Sequence, residues 1–102
     1  MKCTEFKLIS RNTLQGFATI EMTSGLVIKD CALHLSHGSE WCAPPSKPQV
    51  DQDGNARRGA DGKLQYTPII SFTTKEIRDN WSSQAVRAIA HYRASTAESQ
   101  HA

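Results

Sequence analysis

Residues 41–48, Trp41-Cys42-Ala43-Pro44-Pro45-Ser46-Lys47-Pro48, and the later run Tyr66-Thr67-Pro68-Ile69-Ile70-Ser71-Phe72 bracket the segment on which the reading of the whole chain turns. Pro44, Pro45 and Pro48 have no N–H to give to a ladder, so strand pairing is expected to stop there. Between the two runs, residues 49–63 are rich in turn formers, with Asp53-Gly54 and Asp61-Gly62 as turn signals. A loop of that length is a large excursion for a small domain, and long loops tend to carry function. The chain from Leu64 to Phe72 then reads as a return to strand.

Working back toward the N-terminus, Glu5-Phe6-Lys7-Leu8-Ile9 alternates with a period of two and predicts a first strand, broken by Asn12 and Thr13. Gly16 to Met22 predicts a second, with Ala18, Ile20 and Met22 on one face and Phe17, Thr19 and Glu21 on the other. Gly25 supplies the left-handed backbone for a reversal into a third strand, Leu26 to Leu35. His37-Gly38-Ser39 turns into a short fourth, Glu40 to Ala43.

Beyond Phe72, Thr73-Thr74-Lys75-Glu76 has the form of a capping box, with Thr73 as N-cap and Glu76 at the third helical position. Ile77, Trp81, Ala85, Ala88, Ile89 and Tyr92 recur at helical spacing and predict a stripe that covers the sheet, with Trp81 in the core. Val86 is expected on the opposite, polar side, where it is a candidate for a dimer contact, and Phe17 on the sheet face away from the helix. The expected fold is α+β, an antiparallel sheet of four to five strands with one long C-terminal helix packed on it. A single domain is expected over residues 1–93, with a frayed tail over 94–102.

The chain has 102 residues, 38% of them hydrophobic, enough for one modest core that subunit pairing would enlarge. Its net charge of +2 is too small to imply nucleic-acid binding by itself, so any electrostatic argument rests on clustering. Cys3, Cys31 and Cys42 are odd in number and form no CxxC pair, which points to a reduced, cytoplasmic protein. Met1 to Ser10 mixes charged and apolar residues and reads as neither a signal peptide nor a membrane span.

Three chemistries fit poorly. Asp51-x-Asp53-x-Asn55 opens like a calcium loop, but Ala56 and Gly62 stand where glycine and glutamate are needed. Cys31, His34, His37 and Cys42 are zinc-type ligands, yet the odd separation of Cys31 and His34 sends them to opposite faces of one strand. Cys42 near His37 lacks an orienting carboxylate, and no phosphate-binding glycine loop is present. The expectation is a protein without catalysis, metal or cofactor.

The basic residues are more suggestive. Lys47, Arg57, Arg58 and Lys63 flank the long loop, and Lys75 and Arg78 lie in the first turns of the helix, whose free N–H groups suit a phosphate. Trp41 and Tyr66 border the same loop as possible stacking groups for unpaired bases. Against this stand Asp51, Asp53 and Asp61, which dilute the positive field.

Pro45-Ser46-Lys47, Asp53-Gly54, Pro68-Ile69 and Ile77-Arg78-Asp79, in that order, resemble the motifs of the SpoVG family of small bacterial DNA-binding proteins. The resemblance covers roughly residues 4 to 90 in outline. It implies a dimer of β-rich subunits with a C-terminal helix, binding DNA and perhaps RNA through basic residues near the helix start. The loop is longer here than is usual in that family. Thr74 and Glu76 stand where the family has basic residues, with Lys75 and Arg78 as neighbouring substitutes on different sides of the helix. A looser similarity links the expected architecture to the PC4-like single-stranded-DNA-binding proteins. The reading is therefore a regulatory or accessory nucleic-acid-binding homodimer without membrane association. The alternative is a protein-interaction module that binds no nucleic acid.

Overall fold

The computed structural model describes residues 1–101 in backbone and residues 1–96 in side-chain environment. Four strands form one antiparallel sheet in chain order, β1 (Lys2–Arg11), β2 (Leu14–Glu21), β3 (Val27–Ser36) and β4 (Ser39–Ala43). Two short strands, β5 (Ser46–Pro48) and β6 (Tyr66–Pro68), pair as a separate sheet, and α1 (Lys75–His101) follows. The fold is α+β, as the order of strand and helix patterns predicts. The tail expected over 94–102 belongs to α1 as far as His101, and Ala102 lies outside the described residues.

The inner face of the sheet is built from Cys3, Ala18, Ile20, Ile28, Cys31, Leu33 and Cys42, all buried against Trp81, Ala85 and Ile89 of α1. Ile28 and Cys31 are three residues apart and would face opposite ways in a regular strand. A β-bulge reconciles them. Ala18 pairs with Cys31 and Ile20 with Ile28, so Lys29 and Asp30 together oppose Thr19. Asp30 takes up the extra residue with φ 60°, a conformation that Asp tolerates better than most side chains. The bulge leaves Asp30 exposed at the surface.

The helix start differs from the expected capping box by one residue. Thr74 is the N-cap: its Oγ1 accepts from the Ile77 N–H at 3.1 Å and its carbonyl from the Arg78 N–H at 3.2 Å. Residues 75–80 are exposed throughout, so Ile77, 48% accessible, lies outside the stripe that sequence periodicity assigns it to. The buried stripe begins at Trp81. Val86, expected on the polar side, is half-buried against the core. The cause is the seating of α1 against both edge strands, β1 and β4, which widens the face it buries.

The prolines do not end pairing as expected. Gln49 N–H donates to the Gln65 carbonyl at 2.8 Å and Ile69 N–H to the Pro45 carbonyl at 3.1 Å. Hydrogen-bonded and non-hydrogen-bonded pairs alternate in an antiparallel ladder. Between those two bonded pairs, Pro48 opposite Tyr66 and Pro68 opposite Ser46 therefore occupy the positions that need no N–H. The strand expected over Leu64 to Phe72 shortens to Tyr66–Pro68 and joins this ladder, so the main sheet keeps four strands.

Residues 49–65 fold into two further turns beyond this ladder. Three backbone hydrogen bonds close a ring: Gln49 N–H to Gln65 O, Gln65 N–H to Arg57 O at 3.1 Å, and Arg57 N–H to Gln49 O at 2.9 Å. One turn is closed by the Val50–Ala56 bridge and the other by the Arg58–Leu64 bridge. The result is a three-lobed arm whose strands make at most marginal contact with the main sheet and α1. Arm and helix draw the molecule out to 52 × 29 × 26 Å, with a radius of gyration of 15.4 Å. A compact chain of this length has about 13 Å.

Candidate nucleic-acid interface

The arm carries four of the cations singled out by sequence, Lys47, Arg57, Arg58 and Lys63, and all are exposed. Two of its three carboxylates, Asp51 and Asp61, are engaged locally, while Asp53 is exposed and uses only its backbone N–H. Asp51 Oδ1 accepts from the N–H groups of Asp53 and Asn55, each at 2.9 Å, and Asp61 Oδ1 from the Lys63 N–H at 3.1 Å. The Asp51-x-Asp53-x-Asn55 motif is thus an Asx turn that orders a lobe. Among the described residues no carboxylate forms an ion pair with any of the four arm cations. Arg58 folds back on its own lobe, its Nη1 donating to the Gly62 carbonyl at 2.8 Å, and keeps its remaining donors free.

Lys75 and Arg78 lie where the arm leaves the body. Both line one cavity of about 490 Å³, together with Ser46, Pro68, Phe72 and Thr74. The sequence reading puts them on different sides of the helix; three residues apart, they share this wall. Arg78 also pairs with Asp79 at 3.4 Å in an exposed contact of little energetic weight.

Trp41 and Tyr66, 40% and 54% accessible, do not meet in one cavity. His34 links their surroundings. Its ring stacks on Trp41, with centroids 5.3 Å apart and planes at 12°, while it also lines a trough that Tyr66 borders. The trough holds about 710 Å³ and runs between the outer sheet face and the arm root. Leu14, Phe17, Ala32, Ile69 and the Pro44-Pro45 step line it, with Asp30, His34, Ser46 and Tyr66 supplying polar groups. Lys7, exposed, is the cross-strand partner of Phe17 at its edge.

Sequence reasoning missed this trough. Its signals were Phe17 on the outward face and an odd-spaced pair, Ile28 and Cys31, that implies a bulge at Asp30. The same geometry separates the zinc-type ligands, since Cys31 and Cys42 lie in the core and His34 on the outer face. Burial draws the His34 pKa below its ordinary value. Cys42, hydrogen-bonded to Cys31 and buried, is held well above the ordinary thiol range, and burial raises Cys3.

Compared with protein-family models, with curated proteins and with solved structures, the chain matches none. No helix among the described residues is long and apolar enough to cross a membrane.

Proposed function

We propose that this protein is a non-catalytic nucleic-acid-binding factor, accessory or regulatory, that grips phosphates of DNA or RNA with its arm and helix start. One observation carries the reading. The arm exposes Lys47, Arg57, Arg58 and Lys63 without ion-pair partners among the described residues, while Asp51 and Asp61 are taken up by backbone N–H groups of the turns. Cations without partners on a projecting element suit a polyanion, and phosphate contacts give affinity with little sequence preference. Lys75 and Arg78, at the cavity beside the arm root, extend that surface. The motif order shared with the SpoVG family supports the same reading and adds two proposals, a homodimer and a cytoplasmic location.

A protein-interaction module is the second reading, favoured by the exposed apolar Val50 and Ile69, each 60% accessible, at or near the arm. Fluorescence anisotropy with labelled single- and double-stranded DNA across a salt series decides between them. The nucleic-acid reading predicts binding that weakens steeply as salt rises. A folded protein that binds neither DNA at low salt refutes it and leaves the module reading.

A further inference from the structure

The trough on the outer sheet face is chemically unlike the arm. It has the size of a small-ligand cleft, within the range of about 300–1,000 Å³, and combines ring surfaces with a few convergent polar groups. Phe17, His34 and Tyr66 offer aromatic faces, the groups on which single-stranded bases stack. Asp30 stands in its wall with no hydrogen bond or ion pair from its side chain among the described residues. An apolar protein surface laid over the trough would bury that charge unpaired, at considerable cost. A cover that brings its own donors avoids the penalty.

The bulge gives Asp30 its position. Its positive φ is uncommon for a non-glycine residue, and such conformations concentrate at functional sites. A carboxylate has two acceptor oxygens and, when ionised, no donor. Guanine is the base that presents two adjacent donors, N1–H and the 2-amino group, on its Watson–Crick edge. Adenine and cytosine place a lone pair beside their amino group, and uracil and thymine flank a single N–H with two carbonyls. In each of those, the second carboxylate oxygen meets an acceptor.

We propose that the trough binds an unpaired guanine, stacked among Phe17, His34 and Tyr66, with the Asp30 carboxylate accepting from N1–H and the 2-amino group. This rests on the nucleic-acid reading and deepens it: the arm supplies phosphate affinity and the trough supplies base preference on a single strand. Lys7 and Arg11, the cross-strand partners of Phe17 and Leu14, are exposed cations available to a phosphate of the bound nucleotide.

The test is anisotropy with three labelled oligothymidine strands: unmodified, with one central guanosine, and with one central inosine, which lacks only the 2-amino group. The 102-residue chain is expected to bind the guanosine strand about tenfold more tightly than the unmodified strand, the scale of hydrogen bonds to a charged group. Inosine should fall between. D30N, with a side chain that tolerates the same backbone region, should bring the three strands within about twofold of one another. F17A should weaken the guanosine strand most.

Equal affinity for all three strands overturns the guanine site, as does a preference that survives D30N. In either case, weaker binding by an Arg57→Ala/Arg58→Ala variant would still uphold the arm reading. A wild-type dimer that F17A converts to a monomer identifies the trough as a subunit interface and also overturns the site. No binding to any strand removes the arm reading together with it.

Discussion

The imidazole of His34 lies flat against the indole of Trp41, ring centroids 5.3 Å apart, as a directly opposed pair across β3 and β4. Thr13 Oγ1 holds the other side of the network, 3.0 Å from His34 Nδ1. The stack fixes one wall of the trough through cross-strand pairing rather than through loop conformation, so the wall is as rigid as the sheet.

Desolvation lowers the His34 pKa in the folded protein, whereas in the unfolded chain it keeps its ordinary value of about 6.5. The stability it contributes is therefore fully present above that value and is lost as pH falls through the lower folded-state value. Site-resolved NMR titration should give a His34 midpoint below 6.5. Melting temperature should fall on acidification more in the wild type than in H34Q. A midpoint at or above the ordinary value contradicts the burial argument.

β4 is an edge strand, and its Cys42 N–H is taken by the Ser82 hydroxyl of α1 at 2.9 Å. Ser82→Ala leaves that partly buried donor without a partner, which costs about 1–3 kcal/mol. The variant should melt earlier, and its Cys42 amide should exchange faster with deuterium. Unchanged exchange at Cys42 would mean that the contact does not hold the edge.

Much of the fold was legible because most of it obeys simple periods. Ala18 and Ile20 alternate inward as the period of two requires, and Trp81, Ala85 and Ile89 follow the helical one. The misreadings occur where a local rule meets a tertiary constraint. Pro48 and Pro68 can pair because the ladder's parity places them at positions needing no N–H, and nothing in the proline spacing alone reveals parity. Ile77 fits the stripe by phase but lies in the exposed opening turns of α1. The cations were readable as a cluster, whereas the trough depends on the Asp30 bulge and the angle of the arm, both products of packing.

Gly16 is buried under the Phe6 ring across β1 and β2, and a methyl group there would run into that ring and the Lys7 carbonyl. Gly16→Ala should therefore destabilise by about 1–3 kcal/mol, the usual cost of overpacking. Chemical denaturation measures it, and a neutral result would show that both the Phe6 ring and the β1 backbone at Lys7 give way freely. Arg93, stacked 4.8 Å over the same ring, argues that it does not.

Cys3, Cys31 and Cys42 are all buried free thiols. Cys42, through its hydrogen bond to Cys31 and its burial, and Cys3, through burial, are both raised away from the reactive thiolate. Native protein at mildly alkaline pH should resist alkylation at both, and should react rapidly once unfolded. Fast labelling of Cys42 in the native state would contradict the packing around it.

The central claim is that the arm cations contact phosphates, and the slope of affinity against salt tests it most directly. Each lost contact should reduce the slope of log affinity against log salt by about 0.7–0.9. An Arg57→Ala/Arg58→Ala variant, checked for an intact fold, should bind single-stranded DNA more weakly at low salt and with a slope shallower by about 1.4, two contacts' worth on a single strand. Affinity and slope equal to those of the wild type would contradict the account.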